Sequence, residues 1–279
     1  MSNLATLAIF ILICSLTILF VVLNAYKNER QIKKRAILIL TELGVMINCC
    51  QRHRGLCAAY LKGNTSSIDE IKALSKAIKH QISLINTHKL LANNGRWLSI
   101  SDHWSRLSTN ATTLSSQHSF EQHTGLIENQ LFLMEDIAQE YNFSRAYYAE
   151  FPNINYVWSE LPKVIERIGQ SRAIGVGIVS SKQCTKVDKV KLGYLHQRIS
   201  ETTKAVLQTF QVADSHQKSV SKAFNDCTNL LNIIDKEILN ADEMSLEPEY
   251  YFDSASQAME AINEVLNFEI KAFLSAHMK

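Results

Sequence analysis

Apolar positions alternate on steps of three and four along most of this chain, the spacing of helices packed through a seam. Ala36, Leu40, Leu43, Ile47, Cys50, Arg54, Cys57 and Leu61 mark one such seam, predicting a helix over roughly residues 26–62 that Gly63 and Asn64 end. Ser66 or Ser67 then caps a second helix, with Asp69 and Glu70 in its first turn and Ile71, Leu74, Ile78, Ile82 and Ile85 as its stripe. Asn93, Asn94 and Gly95 break it. A polar helix is expected near 98–114, and another from Phe120 to about Tyr141 carrying Leu126, Leu131, Leu133, Met134 and Ile137.

The second half repeats the pattern. Pro152 marks a boundary, and a helix beginning near Asn155 takes Pro162 into its first turns, with a seam of Leu161, Ile165, Ile168, Arg172, Gly175 and Val179. From Val187 to about Leu239 the amphipathic pattern reads as one extended region, open to interruption at 214–217. Pro248 opens a last helix whose stripe is Ala255, Met259, Ile262, Leu266, Ile270 and Phe273. Helices joined by short polar breaks pack as antiparallel bundles. Seven or so helices exceed what one four-helix bundle needs, and two bundles sharing a long helix would use them all. The fold class is therefore all-α, and only 3 prolines and 9 glycines interrupt it.

Ahead of this body, Leu4–Leu23 is an uncharged run of about 20 residues, enough to span a bilayer. Only Ser2 and Asn3 separate it from Met1, and no small-residue cleavage site follows, which predicts a retained anchor and not a cleaved leader. Lys27, Arg30, Lys33, Lys34 and Arg35 come next, opposed by Glu29. Positive charge prefers the cytoplasmic side. The expected organisation is an anchor over 1–27 and a helical body over 28–279, single-pass in a bacterial inner membrane with the body cytoplasmic. Cysteine usage fits a reducing compartment: Cys14, Cys49, Cys50, Cys57, Cys184 and Cys227 show no disulfide spacing. Sequons at Asn64, Asn110 and Asn142 are chance matches in that setting. A net charge of +2 argues against nucleic acid as a partner.

Two positions break the apolar rule of the seams. Arg54 and Arg172 stand where a packed helix wants hydrocarbon, and a buried arginine needs a partner because a desolvated, unpaired guanidinium costs several kcal/mol. Neither has an acid one turn away on its own seam. The partner is then a bound anion, an acid from another helix, or water reached by snorkelling. A guanidinium presents a planar fork of donors that matches oxyanions bidentately, so two forks converging from different helices suit a small anion in a dry site.

The segment 49–64, CCQRHRGLCAAYLKGN, is similar to the Q-x-E-R-G-x-S-A-x-Y/F-L signature of bacterial nitrate- and nitrite-sensing domains. The segment 161–177, LPKVIERIGQSRAIGVG, resembles that family's second motif, G-x-E-R-A-x-G, and 247–267 is similar to its terminal Y-F-x-x-x-T/S-x-x-I-D helix. The three elements fall in the right order within residues 36–275. The resemblance implies two antiparallel four-helix bundles and a ligand held by the arginines of the first two motifs, Arg54 and Arg172 here. The sequence departs from the pattern where His53 and Ser171 replace the acid before each arginine, and where Cys57 replaces a small hydroxyl residue. Those losses make the pocket more positive. They count against nitrate or nitrite as the particular ligand while keeping a small oxyanion.

Other chemistry is thin. Cys49, His53 and Cys57 share a helix face, and thiolate with imidazole is good zinc chemistry. Three successive i,i+4 positions nevertheless spread along about 12 Å, too far to meet one ion, so no metal or cofactor is expected. Glu-x-x-His di-iron motifs, phosphate-binding glycine loops and kinase signatures are missing. With no nucleophile–base set, an enzyme is not the expected class. Gly169, Gly175, Gly177 and Gly193 lie inside helical runs and point to close helix packing or to room near Arg172. The reading is a membrane-anchored sensor that binds a small oxyanion through Arg54 and Arg172 and relays to an output protein, since the chain carries no output segment of its own. A ligand-free helical membrane scaffold is the alternative. Oligomeric state stays open, a homodimer included.

Overall fold

The computed structural model describes residues 2–212 and 214–277, with side chains from residue 7 onward except at 214 and 215. Met1 and Lys279, the outer limits of the expected anchor and body, lie outside the described residues, as do the side chains of Leu4, Ala5 and Thr6. All regular structure in the described residues is helical.

The expected anchor and the first body helix are one element, α1 (Ser2–Leu61). From Leu7 to Leu23 its large apolar side chains are exposed, and the helix is long and apolar enough here to cross a membrane, with a mean hydropathy of 2.8 over 18 residues. At Ala36 the exposure ends. Ala36, Leu40, Leu43, Ile47, Cys50, Arg54 and Cys57 are all buried, as their spacing predicts. Around this half of α1 pack α2 (Ile68–Thr87), α3 (Gly95–Asn110) and α4 (Ser116–Glu140). The Asn94 and Ser115 side chains accept from the backbone N–H groups of Trp97 and His118, capping α3 and α4. Trp97, Trp104, Leu126, Leu133 and Ile137 complete the first core.

A short α5 (Ile154–Val157) leads to the second bundle: α6 (Glu160–Ser181), α7 (Lys186–Thr202), α8 (Asp214–Ile233) and α9 (Pro248–His277). The expected single region from Val187 to Leu239 is corrected here. It is two helices that fold back on each other, the first ending ahead of residues 208–212 and so before the interruption sought at 214–217. The cause lies in the pattern itself. Leu195, Ile199, Val206, Val220, Cys227, Leu230 and Ile234 all bury in one core, which one straight helix would string over tens of ångströms. α7 and α8 each end in a π-helical turn, at Thr203–Leu207 and Ile234–Leu239.

Two helices tie the bundles together. α9 begins in the second core with Tyr251, Ala255 and Ile262 and ends in the first, where Phe273 is wholly buried against Phe143, Tyr148, Phe151 and Trp158. α6 crosses to α1 and α4. A Cβ on Gly175 would sit 2.3 Å from the Tyr251 ring, so only glycine lets α6 and α9 approach this closely. Gly177 and Gly193 meet nothing within 4 Å and have no such reason.

Candidate functional site

The Arg54 guanidinium leaves α1 toward the junction of the bundles and is 4% exposed. Its Nη1 donates to Glu166 Oε1 at 2.5 Å and its Nη2 to Glu166 Oε2 at 3.1 Å, a bidentate pair. Nη1 also donates to Thr124 Oγ1 at 3.0 Å, and the ring of Phe120 lies 5.2 Å from the guanidinium carbon. Glu166, from α6, is 2% exposed and accepts two more bonds, from Gln51 Nε2 and Gln170 Nε2, both at 2.9 Å. Gly169, one turn along from Glu166, makes room: a Cβ there would stand 3.2 Å from Arg54 Nη2. The pair is desolvated and held by further hydrogen bonds on both sides, the condition under which a buried ion pair breaks even. The partner that Arg54 lacked on its own helix is thus an acid from another. Glu166 left little trace in the sequence, because a partner across a helix interface has no fixed offset; the small residue three positions on is the one local hint.

Arg172 is placed differently. It is half-buried on α6, its Nη1 donates to Ser256 Oγ at 2.8 Å, and its guanidinium carbon lies 4.8 Å from the Phe252 ring. No carboxylate pairs with it among the described residues. Burial lowers its pKa, the positive charge of Arg54 lowers it further, and Glu260 opposes both. The two arginines therefore share one electrostatic neighbourhood between α1, α6 and α9. The Tyr251 hydroxyl donates to the Ser171 carbonyl at 3.0 Å, fixing the backbone just before Arg172.

Two clefts open beside this junction. One of about 880 Å³ is lined by Phe120, Gln170, Ala173 and Gly177, and another of about 260 Å³ by Glu128, Lys163, Glu166, Arg167 and Gln170. The smaller reaches the Glu166 carboxylate itself, the larger only its neighbours Gln170 and Phe120, and neither is lined by Arg54 or Arg172. Burial and the neighbouring Glu166 charge raise the pKa of Glu128.

Next to Arg54 along α1, His53 is wholly buried and enters a different network. Its Nδ1 lies 2.8 Å from His123 Nε2, and its Nε2 lies 3.0 Å from Ser75 Oγ. His123 Nδ1 is 2.6 Å from the Ser119 carbonyl, which can only accept, so the tautomers follow. His123 carries its proton on Nδ1 and accepts at Nε2 from His53 Nδ1–H, whose Nε2 accepts from Ser75. Burial keeps both rings neutral, with pKa values pushed down to about 4 for His53 and about 3 for His123. Cys57 Sγ lies 3.5 Å from His53 Nδ1, and all six cysteines are free thiols. Cys49 takes no part in this cluster.

No family profile matches the sequence, and no curated protein matches it. Among solved structures, the NasR transcription antiterminator superposes with a TM-score of 0.68 at 13% identity, over 90% of this chain and 71% of that one. At that identity the likeness is one of fold.

Proposed function

We propose that this protein is a membrane-anchored, non-enzymatic sensing module that takes a small oxyanion at the junction of its two bundles and passes the change to an output protein. The observation that carries it is Arg172, a half-buried cation whose hydrogen-bond partner among the described residues is a single hydroxyl and which lies within the field of a second arginine. A cation in that field without a carboxylate of its own is an unfavourable arrangement that an anion relieves. The motif resemblance around both arginines supports the reading. So does the shared fold with NasR, a transcription antiterminator, since an architecture of this kind then serves a regulator.

Glu166 gives the reading a mechanism. Its carboxylate fills the Arg54 fork and presents the same two-oxygen edge as a trigonal oxyanion. An anion bound between the arginines competes with it, so binding exchanges an α1–α6 link for one that includes Arg172. A ligand shifts such an equilibrium only by its differential affinity for the two arrangements. Because α1 runs from the junction to the apolar N-terminal stretch without a break, a change at Arg54 has a continuous path to the anchor.

The scaffold reading rests on the same pair: a guanidinium already held by Glu166, Thr124 and Phe120 needs no ligand. Thermal unfolding of the detergent-solubilised chain against nitrate, nitrite, bicarbonate, sulfate and phosphate, with chloride as the ionic control, separates the two. At about 100 times its dissociation constant, a specific anion stabilises the protein by roughly 2.7 kcal/mol. Arg172→Met removes that gain. If no oxyanion raises the melting temperature above the chloride control, the scaffold reading replaces the sensor.

A further inference from the structure

His53, Cys57 and His123 bring one ligand atom each to a single point in the first core, all within 4.8 Å of one another and all wholly buried. His53 and Cys57 come from successive turns of α1, and α4 supplies the third donor. We propose that these three side chains form a metal site for a soft d10 cation, with monovalent copper as its ion. The site is separate from the oxyanion reading and does not depend on it.

The spacing is close to what coordination requires. Three donors set a trigonal site, and the usual metal–nitrogen and metal–sulfur lengths then put two nitrogens about 3.5 Å apart and nitrogen and sulfur about 3.8 Å apart. The Cys57 Sγ–His53 Nδ1 separation is 3.5 Å. From 2.8 Å, the two imidazole nitrogens need to part by roughly 0.7 Å to reach that spacing. The outer hydrogen bonds are already in place. His123 Nδ1–H holds the Ser119 carbonyl, which orients its Nε2 inward. When His53 ligates through Nδ1, its proton moves to Nε2 and donates to Ser75 Oγ, while the Ser75 hydroxyl proton turns to the Ile71 carbonyl 3.0 Å away. Every polar atom is satisfied in both forms. Trp104, edge-on to His53 with ring centroids 5.1 Å apart, holds the ring in position.

Charge selects the ion. A thiolate and two neutral imidazoles bring one negative charge, which a monovalent cation cancels. A divalent one leaves a net positive site in an apolar core, one residue along α1 from the Arg54 charge. Thiolate is also a soft ligand that suits Cu(I). Binding is a ligand exchange without oxidation: Cu⁺ forms bonds to Cys57 Sγ, His53 Nδ1 and His123 Nε2, and the Cys57 thiol releases one proton to solvent.

The test titrates the reduced full-length protein in detergent with Cu⁺ against a chromophoric chelator, and separately with Zn²⁺. One Cu⁺ per chain is expected, with one proton released and an X-ray absorption edge showing one sulfur and two nitrogen neighbours. Cys57→Ser and His123→Gln, each checked for helicity by circular dichroism, should lose binding, whereas Cys49→Ser should keep it. Ser75→Ala, which removes only an outer partner, should weaken affinity by roughly 10-fold. Stoichiometric Cu⁺ retained in Cys57→Ser, or Zn²⁺ bound where Cu⁺ is not, overturns the proposal. If misfolding spoils the variants, absence of the sulfur–nitrogen signature in the parent overturns it by itself.

Discussion

Arg54 and Arg172 each interrupt an apolar seam, and the protein treats them in opposite ways. The first is sealed between α1, α4 and α6, with a bidentate carboxylate, a hydroxyl and an aromatic face. The second keeps partial contact with solvent, one hydroxyl and a ring. Glycine explains part of the difference. Gly169 opens a space that the Arg54 fork fills, while the space at Gly175 is taken by Tyr251 and not by Arg172. An arginine on a packed seam is therefore no single signal: one of this pair carries structure, and the other is left with charge to spend.

The largest expected effect tests the structural half. Replacing Arg54 alone strands the Glu166 carboxylate in a dry site with only Gln51 and Gln170 as donors. Arg54→Met should therefore cost on the order of 3–5 kcal/mol in denaturant unfolding. The double variant Arg54→Met with Glu166→Met should recover most of that loss, because a buried pair replaced by hydrocarbon of similar volume is close to neutral. A small cost for the single variant would mean that the pair does not form in solution, and the contrast with Arg172 would collapse.

Much of this was legible in the chain. Every seam position of α1 from Ala36 to Cys57 is buried, although Ile37, Ile39, Met46 and His53 beside the seam are buried too, and Pro248 marks the start of α9, because helical period and proline geometry act locally. The α7–α8 fold-back escaped for a physical reason: both halves keep the same amphipathic phase, and only the need to bury both in one core bends them. The same limit hid the partners at the site. Arg54, Arg172, His53 and Cys57 announce themselves by type and spacing within one helix. Glu166 and His123 do not, since they join through packing at sequence separations of 112 and 70. Ser256 is hidden in the same way, since it reaches Arg172 from α9 at a separation of 84.

The glycines sharpen the comparison at intermediate size. Gly175→Ala forces a methyl into the Tyr251 ring and should cost about 1–3 kcal/mol, as overpacked cores do. Gly169→Ala meets the end of the Arg54 side chain at 3.2 Å, where the guanidinium is held by Glu166 and can yield only slightly, so its cost should be smaller but measurable. Gly177→Ala is the control: with nothing within 4 Å, the added methyl should stabilise α6 by up to about 1 kcal/mol. Thermal unfolding of the three variants side by side gives the order. If Gly175→Ala proves as harmless as Gly177→Ala, the close approach of α6 and α9 is wrong and the placing of Arg172 with it.

The smallest expected effect on stability decides the functional half. Arg172 is hydrogen-bonded to Ser256 Oγ, which itself donates to the Phe252 carbonyl at 2.8 Å. Arg172→Met thus leaves no buried charge behind and no donor without an acceptor. Without added anion, its stability should fall within about 1 kcal/mol of the parent, the scale of one ordinary hydrogen bond. With a saturating oxyanion the two proteins should separate, the parent gaining roughly 2.7 kcal/mol at about 100 times the dissociation constant and the variant almost nothing. Arg172→Lys adds the geometric control, because an ammonium keeps the charge but loses the planar fork. Retained binding in the lysine variant would mean that charge alone recruits the anion. A variant that loses several kcal/mol with no anion present would instead make Arg172 structural like Arg54, and the two arginines would then differ in exposure alone.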